Sequence, residues 1–304
     1  MRTASDLVSV VDEAQPTLVD WSKADRTRLL ERATTILSAT PRPFIRWAGS
    51  KQRLLSQLVE HLPATWRTYY EPFAGAASMY FLLQPSNAHL NDYCQPLVEM
   101  YDTVRREPDA VLAGLSSMDV LDKDFYYEVR KSVPEDPIRR ASRFIYLNRA
   151  AWNGLYRVNA RGEFNVPYGK PRSGNILDEI NFFAAANLLS KDGLTLTHRD
   201  FEDAVVGAGD GDLVFFDPPY ASSKRRESFV DYNETLFTWE DQRRLAACAE
   251  RLRRSGAKVI VTNAYNSAIR ELYPTFTEHA LLRRSSLASD VSLRGSVAES
   301  VFVT

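Results

Sequence analysis

Apolar positions along the chain keep two rhythms. Tyr69-Tyr70-Glu71, Ala88-His89-Leu90-Asn91-Asp92, Leu194 to Thr197, Leu213 to Asp217 and Lys258 to Thr262 are short runs that predict β-strands. Helical patterns separate them, which predicts an α/β fold: a mainly parallel sheet with helices on both faces. The tail differs, because His279 to Arg284 and Val297 to Val303 are strand-like with only a loop between them. That pair is expected to run antiparallel at the end of the sheet. Residues 109–190 interrupt the alternation; they read as largely helical, with a glycine- and asparagine-rich loop from Trp152 to Gly174, and predict an insert or second domain. Near the N-terminus, Leu29, Leu30, Ala33 and Ile36 fall at helical spacing within Leu18 to Leu37. Pro41-Arg42-Pro43 then breaks the pattern, so residues 1–41 read as an appended helical extension.

The chain has 304 residues, 44% apolar and 25% charged, ordinary for a soluble globular protein. A formal net charge of −1 gives no hint of nucleic acid, so any such signal must be local. Cys94 and Cys248 suggest no disulfide framework, which fits a reducing cytoplasm. No apolar run is long enough to cross a bilayer, and no secretory signal is seen. The histidines are scattered, so no metal site is expected.

The sharpest chemical signal is Leu213-Val214-Phe215-Phe216-Asp217-Pro218-Pro219-Tyr220. A buried apolar strand delivers a carboxylate at its C-terminal end, where open α/β sheets place their sites. Two prolines stiffen the turn and expose a carbonyl, and Tyr220 offers a stacking surface. An amino group on a flat heterocycle needs this set: two acceptors for its hydrogens and a ring for its face. A proline turn alone would explain Asp-Pro, but not the full tetrapeptide after such a strand.

Glu71-Pro72-Phe73-Ala74-Gly75-Ala76-Ala77-Ser78 ends a strand in an acid and opens a helix through small residues. Gly75 lets the backbone approach a ligand closely. The pattern lacks the spaced glycines of dinucleotide sites and the phosphate-binding lysine-serine pair, so a nucleoside without phosphate fits better. A plain strand-to-helix turn explains it equally well. Asp92, about 20 residues further on, stands where acids hold ribose hydroxyls, or alternatively where an acid caps a helix. In Phe44-Ile45-Arg46-Trp47-Ala48-Gly49-Ser50-Lys51, Trp47 is a candidate to pack on an adenosine and Lys51 to meet a carboxylate. The bland alternative is an aromatic core anchor beside a solvated lysine.

From Arg139 to Gly174 stand eight basic residues, Arg139, Arg140, Arg143, Arg149, Arg157, Arg161, Lys170 and Arg172, against the single acid Glu163. Asn148, Asn153 and Asn159 are interleaved with Tyr146, Trp152, Tyr156 and Tyr168. Arginines neutralise phosphates and read guanine, and asparagine reads adenine. A solvated basic face is the alternative, but the aromatic interleaving favours nucleic acid.

Together these residues resemble the DNA adenine methyltransferase family of the GATC-methylating type, from about Phe44 to the C-terminus. The most specific part is Tyr146-Leu147-Asn148-Arg149, Trp152-Asn153-Gly154-Leu155-Tyr156-Arg157 and Arg161-Gly162-Glu163-Phe164-Asn165-Val166-Pro167-Tyr168-Gly169, which looks like the family's DNA-recognition segment. The resemblance implies a Rossmann-like methyltransferase sheet of seven strands, one antiparallel. It implies a catalytic domain of residues 42–108 and 191–304 and an inserted helical recognition domain of residues 109–190. It implies S-adenosylmethionine as methyl donor, no metal, double-stranded DNA as substrate and transfer to the adenine amino nitrogen with the base flipped out. Asp217, Pro218 and Tyr220 match the catalytic motif. Trp47, Lys51, Asp92 and Asp217 match cofactor positions, with Glu71, Phe73 and Gly75 in the turn beside them. Arg46, Asn153, Leu155, Arg157, Pro167 and Lys170 fall where relatives meet DNA. A cytoplasmic protein associated with the nucleoid, monomeric or weakly dimeric, is expected.

Three departures stand out: residues 1–41 have no counterpart, Ser50 replaces a usual glycine, and the segment from Lys170 to Ile176 diverges. A basic hairpin in relatives corresponds to Arg283 to Arg294, with modest similarity. A cytosine-ring methyltransferase would need a nucleophilic cysteine in the Asp-Pro-Pro-Tyr loop, and Cys94 is not there. Cytosine-amino methylation, RNA methylation, another site within a restriction-modification system and a silent DNA-binding relative are the remaining alternatives.

Overall fold

A computed structural model describes residues 41–220, 237–284 and 296–304 of the chain. The expected helix within residues 1–40 and most of the Arg283 to Arg294 hairpin lie outside the described residues. Seven strands form one sheet: β1 (Tyr69–Glu71), β2 (Ala88–Asn91), β3 (Leu194–Thr197), β4 (Leu213–Phe216), β5 (Lys258–Ala264), β6 (Thr277–Arg284) and β7 (Ser296–Val303). Their order is β3-β2-β1-β4-β5-β7-β6. Every neighbour pair from β3 to β5 is parallel, and β7 runs antiparallel to both β5 and β6. The expected strands are therefore all present. β5 runs two residues further than its apolar pattern suggests, because β7 pairs with it as far as Ala264↔Glu299.

The central strands are buried on both faces, which is why β4 reads as an unbroken apolar run. Alternate residues enter different cores: Leu213 and Phe215 join Tyr69 and Ile260 on one face, while Val214 and Phe216 join Tyr70, Val259 and Val261 on the other.

Among the described residues, ten α-helices cover the sheet or lie beside it. They are α1 (Leu55–Leu58), α2 (Ser78–Leu83), α3 (Gln95–Arg106), α4 (Pro108–Ser116), α5 (Lys123–Lys131), α6 (Pro137–Ala150), α7 (Glu179–Leu189), α8 (Phe201–Ala204), α9 (Trp239–Arg254) and α10 (Ser267–Arg270). In α3 the buried residues are Leu97, Met100, Tyr101 and Val104, one apolar stripe at helical period. Helix α9 starts at a capping box, Thr238 with Asp241, and lays Leu245, Ala249 and Leu252 on the second core. Asp122, Asp136 and Asp178 cap α5, α6 and α7, each side chain accepting from backbone N–H of the first turn. Val111, Leu115, Ile145, Phe182 and Leu189 of the α4–α7 region share one buried cluster with the first sheet face.

Strand order places the crevice. The chain leaves β1 towards β2 and β3, then returns to set β4 on the other side of β1. At such a switch point the connections diverge to opposite faces and leave a cleft at the carboxyl ends of the two strands. Glu71 ends β1, and Asp217 is the first residue beyond β4.

Candidate active site

Asp217 leaves β4 into a turn that is pinned from three sides. Thr262, wholly buried on β5, donates its hydroxyl to Asp217 Oδ1 at 2.6 Å. Lys51 Nζ reaches the same oxygen at 2.6 Å. The next residue of β5, Asn263, donates to Gln242 Oε1 of α9 at 2.8 Å, and Gln242 Nε2 donates to the Pro219 carbonyl at 3.2 Å. Tyr220 donates its hydroxyl to Glu299 Oε2 on β7 at 2.7 Å. Burial raises the Asp217 carboxyl, opposed by the Lys51 charge and the two hydrogen bonds. Burial likewise carries the Tyr220 phenol well above its usual range, and the Asp217 and Glu299 charges add to it.

Lys51 ties the pieces together. Its ammonium donates to the Gly49 carbonyl at 2.9 Å, lies 3.6 Å from Glu299 Oε2 and stands 4.7 Å from the centre of the Tyr220 ring. The segment that carries it is short, a 3₁₀ turn at Lys51–Arg53 before α1, and Ser50 Oγ lies 2.9 Å from Ser78 Oγ at the start of α2. Ser50, which departs from the glycine expected from the family resemblance, thus makes a contact glycine would lack.

Asp92 resolves one alternative. Cys94, not Asp92, precedes the first turn of α3, so Asp92 is not that helix's N-cap. Its Oδ2 accepts from the Gly75 N–H at 2.8 Å and its Oδ1 from the Cys94 N–H at 2.9 Å. The acid after β2 therefore holds the glycine turn after β1. Burial raises its carboxyl, against these two bonds. Gly75 has φ +48°, and a Cβ there would stand 2.6 Å from Trp47 Cδ1. No side chain fits between the turn and the indole, which explains the glycine. The Tyr101 hydroxyl supports the turn from below, donating to the Gly75 carbonyl at 2.9 Å.

Glu71 and Phe73 lie differently. Glu71 is buried, and its Oε2 accepts from the Tyr69 hydroxyl at 2.9 Å and the Tyr80 N–H at 3.1 Å. Burial pushes its carboxyl up to about 8, and the nearby Asp217 and Asp92 charges add to the rise. Phe73 is half-buried among Phe201, Phe216 and Phe237 at the edge of the second core. Asp92, Asp217 and Glu299 against Lys51 leave an excess of negative charge around a close-approach glycine turn and an indole. That donor set fits a cationic nucleoside ligand and offers no phosphate cradle. Among the described residues no His, Cys, Asp and Glu cluster has the makings of a metal site.

The recognition candidates meet the same region through Asn148. This buried side chain accepts from the Arg46 N–H at 2.8 Å and donates to the Arg46 and Gly154 carbonyls at 2.6 and 3.1 Å. Trp47 beside it stacks on Tyr156, ring centres 5.7 Å apart. Residues 151–168 form a hairpin-like loop, bridged at Ala151↔Tyr168 and Val158↔Phe164, rather than an open loop. Asn153 lies in the short 3₁₀ turn at its start, Trp152–Gly154, with φ 54°, and is exposed. Leu155, Arg157 and Pro167 line one shallow hollow with Trp152 and Val166. Arg157 Nε donates to Asn165 Oδ1 at 2.7 Å, which aims the guanidinium. Lys170, exposed with φ 51°, is not among the residues lining that hollow.

The basic count is thinner than it reads. Arg143 donates to the Val129 and Arg130 carbonyls at 2.9 and 2.7 Å, and Arg140 to the Glu135 carbonyl at 2.9 Å. Both brace helices within the fold.

Sequence reasoning missed Thr262, Gln242, Asn263 and Glu299. All four are buried polar side chains. The available signal was phase: polar residues at inward positions of two otherwise apolar strands and of helix α9.

Residues 47–286 match the model of the D12 class N6 adenine-specific DNA methyltransferases. The chain is 33% identical over 264 residues to the DNA adenine methylase of Escherichia coli (strain K12), covering 85% of this chain and 93% of that protein. It is 32% identical over 265 residues to the Type II methyltransferase M1.LlaDCHI of Lactococcus lactis subsp. cremoris, again 85% and 93% of the two chains. The Type II methyltransferase M.MjaIII of Methanocaldococcus jannaschii is 35% identical over 247 residues, 74% of this chain and 85% of that one.

Proposed function

The chain belongs to the D12 class N6 adenine-specific DNA methyltransferases, and from that premise we propose how and where it acts. It transfers the methyl group of S-adenosylmethionine to the amino nitrogen of a flipped-out adenine in duplex DNA, with GATC as the site. The observation that carries the reading is the triply anchored Asp217-Pro218-Pro219-Tyr220 turn at the β1/β4 switch point.

S-adenosylmethionine, when bound, supplies an electrophilic methyl group on a sulfonium, and Trp47, Gly75, Asp92 and Lys51 are the residues to hold it. The adenine must leave the helix, because its amino group is otherwise paired. Tyr220 takes one face of the base. Asp217 and the Pro218 carbonyl accept the two amino hydrogens, which turns the nitrogen lone pair out of conjugation and towards the methyl. Lys51 and Thr262 both engage Oδ1 of Asp217, so Oδ2 is the oxygen assigned to the amino hydrogen. The bound donor would supply its methyl group to that lone pair, and Asp217 would accept the proton that the amino nitrogen gives up. Catalysis is positioning and preorganised electrostatics.

We assign residues 109–190 to target recognition. The GATC assignment rests on the likeness of Tyr146 to Gly169 to the recognition segment of GATC-methylating enzymes, and on the hollow lined by Leu155, Arg157 and Pro167. A second reading, another short site paired with a restriction enzyme, is favoured by the relatives bearing Type II methyltransferase names. One experiment separates them: methylate plasmid DNA with the protein and map modified adenines base by base, then compare GATC duplexes with single-base variants for the parent and Arg157→Ala. A bidentate arginine–guanine pair discriminates by about 1–3 kcal/mol, so the variant is expected to relax one position of the site by roughly ten- to a hundredfold. A uniform drop across all duplexes would make Arg157 a phosphate contact. A parent preference for another sequence would overturn GATC.

A further inference from the structure

Glu299 is out of place by every local rule. It lies in β7, between Val297 and Val301, in a strand otherwise built of apolar and small residues. It pairs with Ala264 of β5 and Leu281 of β6 and shares its face of β7 with Val301, which packs into the first core. Only 7% of it is exposed. A carboxylate in such a setting costs several kcal/mol unless charge and hydrogen bonds compensate it, roughly as for any buried ion. Two groups that compensate it belong to the methyl-transfer site: the Tyr220 hydroxyl at 2.7 Å and the Lys51 ammonium at 3.6 Å.

We propose that Glu299 is a positioning residue for methyl transfer, acting through Tyr220. A tyrosine ring at the end of a turn swings about its Cα–Cβ bond. Hydrogen bonding at the hydroxyl, the far end of the ring, stops that swing and presents one ring face at a fixed height above the Asp217 carboxylate. Thr262 holds Asp217 from β5, Gln242 holds Pro219 from α9, and Glu299 completes the set from the antiparallel strand. Lys51 places a counter-charge beside the buried carboxylate, 3.6 Å from its Oε2. The antiparallel strand thereby contributes to the site through a side chain as well as through its ladder. The proposal rests on the assignment of Tyr220 as the base-stacking residue.

The test uses the full chain and four variants: Glu299→Ala, Glu299→Gln, Tyr220→Phe, and Glu299→Ala combined with Tyr220→Phe. Single-turnover methyl transfer is measured at saturating cofactor on an adenine-containing duplex. Loss of a hydrogen bond to a charged group is worth about 1.5–3 kcal/mol, so Glu299→Ala and Tyr220→Phe are each expected to lose roughly ten- to a hundredfold. The double variant should lose no more than the worse single one, because both remove the same bond. Glu299→Gln keeps an acceptor for the phenol and should regain much of the loss. Multiplying losses in the double variant, or a Glu299→Ala rate equal to the parent's, would overturn the proposal. A readout independent of turnover is 3-fluorotyrosine placed at position 220. Its fluorine resonance should shift or broaden in Glu299→Gln and Glu299→Ala, and an unchanged spectrum in both would also overturn the proposal. If the parent methylates no adenine, the functional assignment fails by itself, and the fluorine spectra still decide whether Glu299 holds the ring.

Discussion

Thr262→Val is the most informative single change, because it removes one atom's chemistry and little else. The side chain is wholly buried, and valine has the same shape as threonine. The hydroxyl lies 2.6 Å from Asp217 Oδ1 and 3.3 Å from the Phe216 carbonyl. It has one hydrogen to give, and the shorter, charge-assisted bond to the carboxylate takes it. Without it, Oδ1 keeps Lys51, but the carboxylate is free to rotate about its last bond. A hydrogen bond to a charged group contributes about 1.5–3 kcal/mol. If that contribution is expressed in the transition state, the rate falls by roughly ten- to a hundredfold or slightly more. The pH dependence supplies a second signature. The Thr262 bond is one of the influences that lower the Asp217 carboxyl, so its removal raises that group further. In the proposed mechanism Asp217 acts ionised, so the rate should fall as pH drops through its titration, and the acidic limb of the profile should move to higher pH in the variant. Single-turnover rates from pH 5.5 to 8.5 with a labelled methyl donor measure both effects, and Thr262→Ser should lie near the parent. A Thr262→Val enzyme with the parent's rate and the parent's acidic limb would refute the view that β5 sets the catalytic carboxylate.

Glu71 should make stability pH-dependent in the unusual direction. Its folded value of about 8 stands above the ordinary 4.5, so the folded state keeps a proton that the unfolded chain releases between those values, and stability falls as pH rises through that window. The slope approaches about 1.4 kcal/mol per pH unit for one such group. Glu71→Gln should flatten it, and denaturant midpoints of parent and variant running parallel from pH 5 to 8 would count against the buried neutral acid. Asp92→Ala removes the acceptor for the Gly75 and Cys94 N–H groups, and cofactor affinity should fall by roughly tenfold or more, since each lost charge-assisted bond is worth about 1.5–3 kcal/mol. Calorimetric titration reads this directly, and unchanged affinity with unchanged site preference would leave Asp92 a purely local turn-former.

Physical locality decided which of these residues were legible beforehand. Asp217, Gly75 and Asp92 announce themselves because strand, acid and turn are consecutive, and a local pattern at the carboxyl end of a parallel strand already has a meaning. Even there the sequence left Asp92 between two roles; Cys94 at the N-cap of α3 sets the helix cap aside, and the bond that Asp92 makes to Gly75, 17 residues away, is not visible in the local pattern. Thr262, Gln242 and Glu299 act across 45, 23 and 79 residues, and nothing beside them in the chain hints at the partner. Asn148 acts across 102 residues on Arg46, so the motif that carries Trp47 and the segment that carries Arg157 look independent in sequence and are one assembly in space. The basic stretch misled in the opposite direction: Arg143 and Arg140 count towards a charged face until their backbone acceptors are known. What can be transferred is a test of phase. An inward glutamate between Val297 and Val301 contradicts the apolar rhythm that identifies β7, and a strand keeps such a residue only where a partner compensates its burial. Here the partner is the tyrosine of the turn after β4, so the position at which the apolar pattern fails is also the position at which the antiparallel strand reaches the site.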